Sequence, residues 1–254
     1  MIVLQSEFRR RLGGRDGFDD LMALDGEVFR TLESRRTLRF ARGGKSYFIK
    51  QHFGTGWREI FKNLVYLRLP VLGAENEYRA IERLETLGVD TMTIAGFGSQ
   101  GSNPARRKSF IVTEELEATE TLEDVTRDWK RAPPEVKLKR ALILRVAEIA
   151  RRLHENGVNH RDFYLCHFRL DKTDSGKLYL IDLHRAQLRR KTPRRWIVKD
   201  IGGLYFSSLD IGLTRRDHLR FIKAYRAAPL RKILPREAGF WRAVEAKALE
   251  LRRQ

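Results

Sequence analysis

Residues 153–184 constrain the fold of this 254-residue chain more than any other stretch. They read as a helix end, a loop carrying His160-Arg161-Asp162, and a short hairpin. Phe168-Arg169-Leu170 and Leu178-Tyr179-Leu180-Ile181 have strand-like patterning, with a polar Asp-Lys-Thr-Asp-Ser-Gly turn between them. The second strand runs directly into Asp182, so the hairpin brings two carboxylates, Asp162 and Asp182, to its mouth. At roughly 6 Å and an effective dielectric of about 20, two such charges repel by about 3 kcal/mol. A divalent cation relieves that repulsion, and Mg²⁺ prefers hard oxygen ligands shared with phosphates. The pattern points to phosphoryl transfer.

Upstream, three strands are expected at 27–32, 37–40 and 46–50. Arg42-Gly43-Gly44-Lys45 forms the turn between the last two, because glycine tolerates positive φ. Lys50 then closes a hydrophobic strand, a position that also suits plain protection of a sheet edge. Residues 51–73 look inserted. Within 57–69, Trp57, Ile60, Phe61, Leu64 and Val65 share one helical face, as expected for a core-packing helix or for a basic amphipathic helix at a membrane surface. A second helix is expected over 74–87, with Tyr78, Ile81, Leu84 and Leu87 as its apolar stripe. Of its acids Glu75, Glu77, Glu82 and Glu85, most are solvated and one can meet Lys50.

Gly96–Gly98 and the 101–108 stretch read as turns, and Phe110-Ile111-Val112 as a buried strand leading to Thr113-Glu114-Glu115-Leu116. A short helix starts near Thr121. A long one follows over 135–156, with Leu138, Leu142, Ile149 and Leu153 near its apolar face and Gly157 as its stop. Residues 1–22 are basic and loosely patterned, as in a frayed helix or an interfacial arm. The chain is thus α+β, with a strand-rich N-terminal part (residues 1–116, insertion 51–73) and a mostly helical C-terminal part (residues 117–254).

Charge narrows the partners. With 51 Lys and Arg against 33 Asp and Glu, the formal net charge is +18, which favours polyanions: nucleic acid, an anionic membrane surface, or an acidic substrate or protein. Residues 189–195 hold five basic side chains, and the last 41 residues hold twelve basic against four acidic. Cys166 is the single cysteine, so an internal disulfide is excluded and a reducing compartment fits. The N-terminus lacks a secretory pattern, and no run approaches the ~18–20 apolar residues of a membrane span. A cytoplasmic protein is expected, resting peripherally on the inner face of a membrane.

A Lys at a strand end, a Glu on the next helix, a hydrophobic strand into an acidic hinge, His-Arg-Asp, then an Asp after a hairpin: this order resembles the two-lobed protein-kinase fold. More closely, the stretches LPVLGAENEYRAIERLETLGV, NHRDFYLCHF and IDLHRA resemble the lipopolysaccharide core heptose(I) kinase family of Gram-negative bacteria, from about Gly26 to Leu234. The resemblance implies ATP and Mg²⁺ as cofactors and phosphorylation of heptose I of the inner core. Asp162 would be the catalytic base, and Lys50 would hold the α- and β-phosphates while paired with Glu77 (Glu75 as the fallback). Asp182 would bind Mg²⁺. Glu114 and Leu116 would present hinge backbone groups to adenine, with Thr113 behind. Asp200 resembles a structural Asp that braces the His-Arg-Asp loop. The polyanionic, amphiphilic acceptor suits the charge, with an anionic inner-membrane surface and an acidic protein as further partners.

Three departures stand out. Glu33-Ser34-Arg35-Arg36 replaces a glycine-rich loop, so phosphate cover falls to Arg side chains or to backbone of another shape. His167 stands where eukaryotic-like kinases have Asn, as a metal ligand or a phosphate donor. Leu183-His184 follows Asp182 in place of Phe-Gly, which argues against a phenylalanine-flip switch.

Other readings explain less. A metal hydrolase built on His160, Asp162, His167, Asp182 and His184 leaves Lys50 and the hinge unused. A nucleic-acid-binding module rests on charge alone, without a recognised motif. Thiol catalysis by Cys166 with His167 is disfavoured because adjacent side chains diverge. Among kinases, a protein-directed enzyme or another sugar kinase is the alternative.

Overall fold

The computed structural model describes residues 1–32, 34–58, 61, 65, 73–174 and 176–254. The chain divides into two compact units: Met1–Arg83 with Met92–Glu117 and Leu183–Arg185, and Leu84–Thr91 with Ala118–Asp182 and Ala186–Gln254.

The first unit is an antiparallel sheet built from β1 (Ile2–Leu4), β2 (Glu27–Leu32), β3 (Arg35–Arg42), β4 (Lys45–His52), β5 (Ile94–Gln100) and β6 (Lys108–Glu114), in the order β1-β5-β6-β4-β3-β2. The expected meander is β2–β3–β4, and β6 pairs with β4 over Tyr47–His52. Side chains alternate across a strand, so Leu38 and Phe40, Tyr47 and Ile49, and Phe110 and Val112 fall on one face and form a buried core.

Residues 1–22 are not a loose arm. Ile2–Leu4 forms an edge strand against β5, followed by helices α1 (Ser6–Leu12) and α2 (Phe18–Met22). Their apolar residues recur at helical spacing, and Phe8, Leu12, Phe18, Leu21 and Met22 join the sheet's buried face. The Phe8 and Tyr47 rings lie 4.8 Å apart. The basic residues between them had masked this stripe.

Gly96–Gly98 is likewise no turn but the middle of β5. Glycine is needed there by close approach: a Cβ on Gly98 would sit 2.4 Å from the Phe110 ring, and one on Gly96 2.6 Å from Leu4. The second expected helix is α3 (Glu75–Thr86). Of the helix expected over 57–69, positions 59, 60, 62–64 and 66–69 lie outside the described residues; Trp57, Phe61 and Val65 are exposed.

In the second unit, α4 (Leu122–Thr126) is capped by Thr121, whose side chain accepts from the Asp124 N–H. The long helix is α5 (Val136–Glu155), and Gly157 follows it with φ of 78°. The expected hairpin is β9 (Phe168–Asp171) with β10 (Leu178–Leu180). It gains a third strand, β7 (Thr119–Thr121), and a two-stranded ladder joins β8 (Val158–Asn159) to β11 (Gln187–Leu188). These short pairings lack any periodic signal, so the sequence reading had no strand there. Helices α6 (Arg194–Ser207), α7 (Arg215–Arg226) and α8 (Leu230–Arg252) complete the unit, α6 packing on α8 and α5 on α7.

Candidate active site

In the first unit, Lys50 lies near the end of β4, one position before the buried Gln51. Its Nζ donates to Glu77 Oε1 at 2.7 Å, and the Glu77 side chain is 1% exposed. An ion pair this buried repays desolvation only when well matched in geometry. Glu77 Oε2 is buried with no hydrogen-bond partner among the described residues. Glu75 is two residues earlier on α3 and faces elsewhere, pairing with Arg79 at 2.6 Å and Arg107 at 3.2 Å. Helical geometry thus separates the two glutamates, and Glu77 is the partner of Lys50.

At the end of β6, the Glu114 N–H donates to the Thr93 carbonyl at 2.9 Å, and its carboxylate pairs with Lys45 at 2.6 Å. The backbone group with which Glu114 can serve a purine is therefore its carbonyl. Leu116, half-buried, follows in irregular chain. Of the two arginines beside the missing glycine loop, Arg36 is engaged: Nε donates to Gln51 Oε1 and Nη2 to the Leu24 carbonyl, each at 3.0 Å.

In the second unit, Asp200 on α6 is fully buried and accepts the His160 and Arg161 N–H groups at 2.6 and 2.8 Å. Two backbone donors on one carboxylate fix the loop that ends in Asp162. His154 extends the brace: its Nε2 lies 3.3 Å from Asp200 and its Nδ1 2.8 Å from the Tyr225 hydroxyl. Burial pushes the Tyr225 phenol upward, so it remains protonated. The His160 ring is also buried, which lowers its pKa and keeps it neutral, and Nε2 meets the Ile181 carbonyl at 2.9 Å. That contact ties the loop to the segment entering Asp182.

His167 joins the same corner. Its Nδ1 lies 2.6 Å from the Asp162 carbonyl, and its Nε2 lies 3.6 Å from the Asp182 carboxylate. Burial opposes its charge, yet Cys166, the Asp162 carbonyl and Asp182 together raise its pKa to about 9. At neutral pH it is a cation facing Asp182, and it can ligate a metal only after losing that proton. Arg161 and Asp182, neither of them glycine, adopt positive φ of 76° and 60°. Such backbone costs about 1–3 kcal/mol per residue and persists where the surroundings enforce it.

Among the described residues no three His, Cys, Asp or Glu side chains gather as a metal cage. The hydrolase reading loses His160 in particular, whose Nε2 is spent on Ile181. A site of one or two protein oxygens completed by phosphate and water is how Mg²⁺ is usually held, and the Asp182 carboxylate fits that role. The brace through His154 and Tyr225 escaped sequence reasoning, because three residues on three helices share no local pattern.

The model of the lipopolysaccharide kinase (Kdo/WaaP) family matches residues 19–225. The chain is 54% identical to the lipopolysaccharide core heptose(I) kinase WaaP of Escherichia coli over 99% of its own length and 97% of the relative's. It is 53% identical to WaaP of Pseudomonas aeruginosa over 98% and 95%. A solved structure of WaaP in complex with acyl carrier protein superposes with a TM-score of 0.85 at 48% identity, covering 99% of both chains. The strand-rich sheet and the helical unit are those of a kinase-like fold, and the chain belongs to the lipopolysaccharide kinase (Kdo/WaaP) family.

Proposed function

We propose that the protein acts as an ATP-dependent kinase that phosphorylates heptose I of the lipopolysaccharide inner core. Near-full-length identity above 50% to heptose(I) kinases carries this reading. The buried Lys50–Glu77 pair and the Asp200-braced loop supply the chemistry it needs.

In this reading Asp162 accepts the proton of the sugar hydroxyl and aims its oxygen at the γ-phosphorus, a role that typically contributes 10²–10⁴-fold. Asp200 and His160 hold that loop before substrate arrives, so orientation costs little at the moment of reaction. Lys50, fixed by Glu77, neutralises the α- and β-phosphates of ATP. The Glu114 carbonyl and the Leu116 N–H bond adenine. Asp182 holds Mg²⁺, with His167 as the second donor at that corner; the ion supplies charge neutralisation on the phosphates.

Peripheral association with the cytoplasmic face of the inner membrane is part of the same proposal. No helix among the described residues is long and apolar enough to cross a membrane. The +18 charge suits an anionic surface, at about 1 kcal/mol per nearby Lys or Arg. The same charge suits an acidic protein of the acyl-carrier class, the partner present in the solved WaaP complex. Flotation with anionic liposomes checks the membrane reading: binding that ignores both lipid charge and salt refutes it.

The enzymatic test is ³³P transfer from Mg-ATP to core lipopolysaccharide lacking its heptose phosphate, with wild type and Asp162→Ala. Label in the core sugar with wild type alone supports both the acceptor and the base. Label on protein instead overturns the acceptor, and equal activity in the two proteins overturns the role of Asp162.

A further inference from the structure

Trp196, in the first turn of α6, is surrounded by positive charge. Arg161 and Arg195 lie 5.4 Å from its ring centroid, and Arg189 and Lys199 lie 5.7 Å from it. Arg195 and Lys199 share one face of α6 at i, i+4 spacing, while Arg161 adjoins Asp162 and Arg189 follows β11. Elsewhere in this unit arginines meet carboxylates: Arg145 with Asp90, Arg152 with Glu148, Arg226 with Glu237. Here the pattern breaks. Among the described residues Arg189 and Arg195 have no carboxylate partner; Arg189 donates instead to the amide oxygens of Asn159 at 2.5 Å and Gln187 at 2.7 Å. Burial and the neighbouring Arg195 charge lower the Arg189 pKa, the mark of uncompensated positive charge.

A cation resting on an indole uses its charge and not its N–H donors, so those donors remain for an oxygen acceptor. The Trp196 Nε1–H is itself buried without an acceptor among the described residues. An anionic oxygen entering the cluster, as the flexible guanidinium groups turn towards it, supplies what both lack. We propose that Arg161, Arg189, Arg195 and Lys199, gathered on Trp196, form a subsite for an anionic group of the acceptor, a carboxylate or a phosphate monoester. The site neighbours Asp162 through Arg161, so it positions the acceptor sugar as well as binding it. This inference rests on the kinase reading for its occupant but not for its anion chemistry.

Two measurements test it. First, Trp196 fluorescence is titrated with inorganic phosphate in wild type, Trp196→Phe and Arg195→Glu, each checked for an unchanged melting temperature. The subsite predicts a saturable change in wild type that vanishes in Trp196→Phe and needs on the order of tenfold more phosphate in Arg195→Glu. This arm needs no activity, so it stands even if lipopolysaccharide proves the wrong acceptor; an identical titration in all three proteins, or none in wild type, overturns the subsite. Second, steady-state transfer to the core acceptor is compared in wild type and Arg195→Glu/Lys199→Glu. A rise of about tenfold or more in acceptor KM, with KM for ATP unchanged, is expected. Equal acceptor KM, or an equal loss for both substrates, overturns the positioning role. Removing the acceptor's phosphates, or reducing its carboxylates, abolishes the difference between the proteins for whichever group occupies the site; a difference that survives both treatments also overturns it.

Discussion

The Tyr225 hydroxyl lies 2.8 Å from His154 Nδ1, which links a C-terminal helix to the catalytic loop through the Asp200 carboxylate. Each member of this chain is buried, so each lost contact leaves an unpaired polar group in place.

Graded losses follow along that chain. Asp200→Asn turns an NH₂ group towards one of two backbone N–H donors, at a cost of about 1–3 kcal/mol. Phosphotransfer should fall at least tenfold as Asp162 loses its fixed position. Tyr225→Phe removes one bond and should lower the melting temperature by about 2–4 °C with a smaller kinetic effect. Wild-type turnover by Asp200→Asn would show that the brace is irrelevant to chemistry.

The Lys50–Glu77 pair separates stability from activity. Lys50→Met strands a buried carboxylate and should destabilise by about 3–5 kcal/mol. Adding Glu77→Leu removes that charge and should restore much of the stability while leaving the enzyme inactive. Denaturant unfolding and ATP turnover on the same samples decide the matter; recovery of both together would mean that Lys50 serves only the fold.

Gly157 is a point of failure. A Cβ there would stand 1.7 Å from the Arg189 carbonyl oxygen, and φ is already 78°. Gly157→Ala combines a left-handed penalty with a backbone clash, so a loss above about 3 kcal/mol, or insoluble expression, is expected. A melting temperature within 2–3 °C of wild type, corresponding to about 1 kcal/mol, would contradict the geometry.

Acid stability should depend on Asp217. Burial alone raises its pKa, but the Thr214 N–H and hydroxyl and the Lys139 ammonium outweigh that and lower it to about 2. The folded value lies below the unfolded one, so the stabilisation is complete above about pH 5 and lost as pH falls through 4 towards 2. It amounts to about 2 kcal/mol. Urea midpoints at pH 6 and pH 3 should differ less in Asp217→Asn than in wild type, and an equal drop in both would assign the acid limb to other carboxylates.

What could be read from the chain, and what could not, divides by the range of the interaction. Strand alternation at 37–40 and 46–50, the helical stripe over 74–87 and the hairpin into Asp182 depend on neighbours within a few residues, so periodicity alone located them. The order of Lys50, Glu77, the hinge, His160-Arg161-Asp162 and Asp182 survives in one dimension because a linear motif is a list of positions. Its failures share a cause. Gly96–Gly98 looks like a turn until the Phe110 ring is seen to fill the space of a side chain. Residues 1–22 look loose until the sheet supplies the apolar face that Phe8 and Leu21 cover. The choice of Glu77 over Glu75, the Tyr225–His154–Asp200 chain and the cations around Trp196 were decided by tertiary structure alone. Each depends on side chains far apart in sequence, and only packing sets the distances on which electrostatics and hydrogen bonding act.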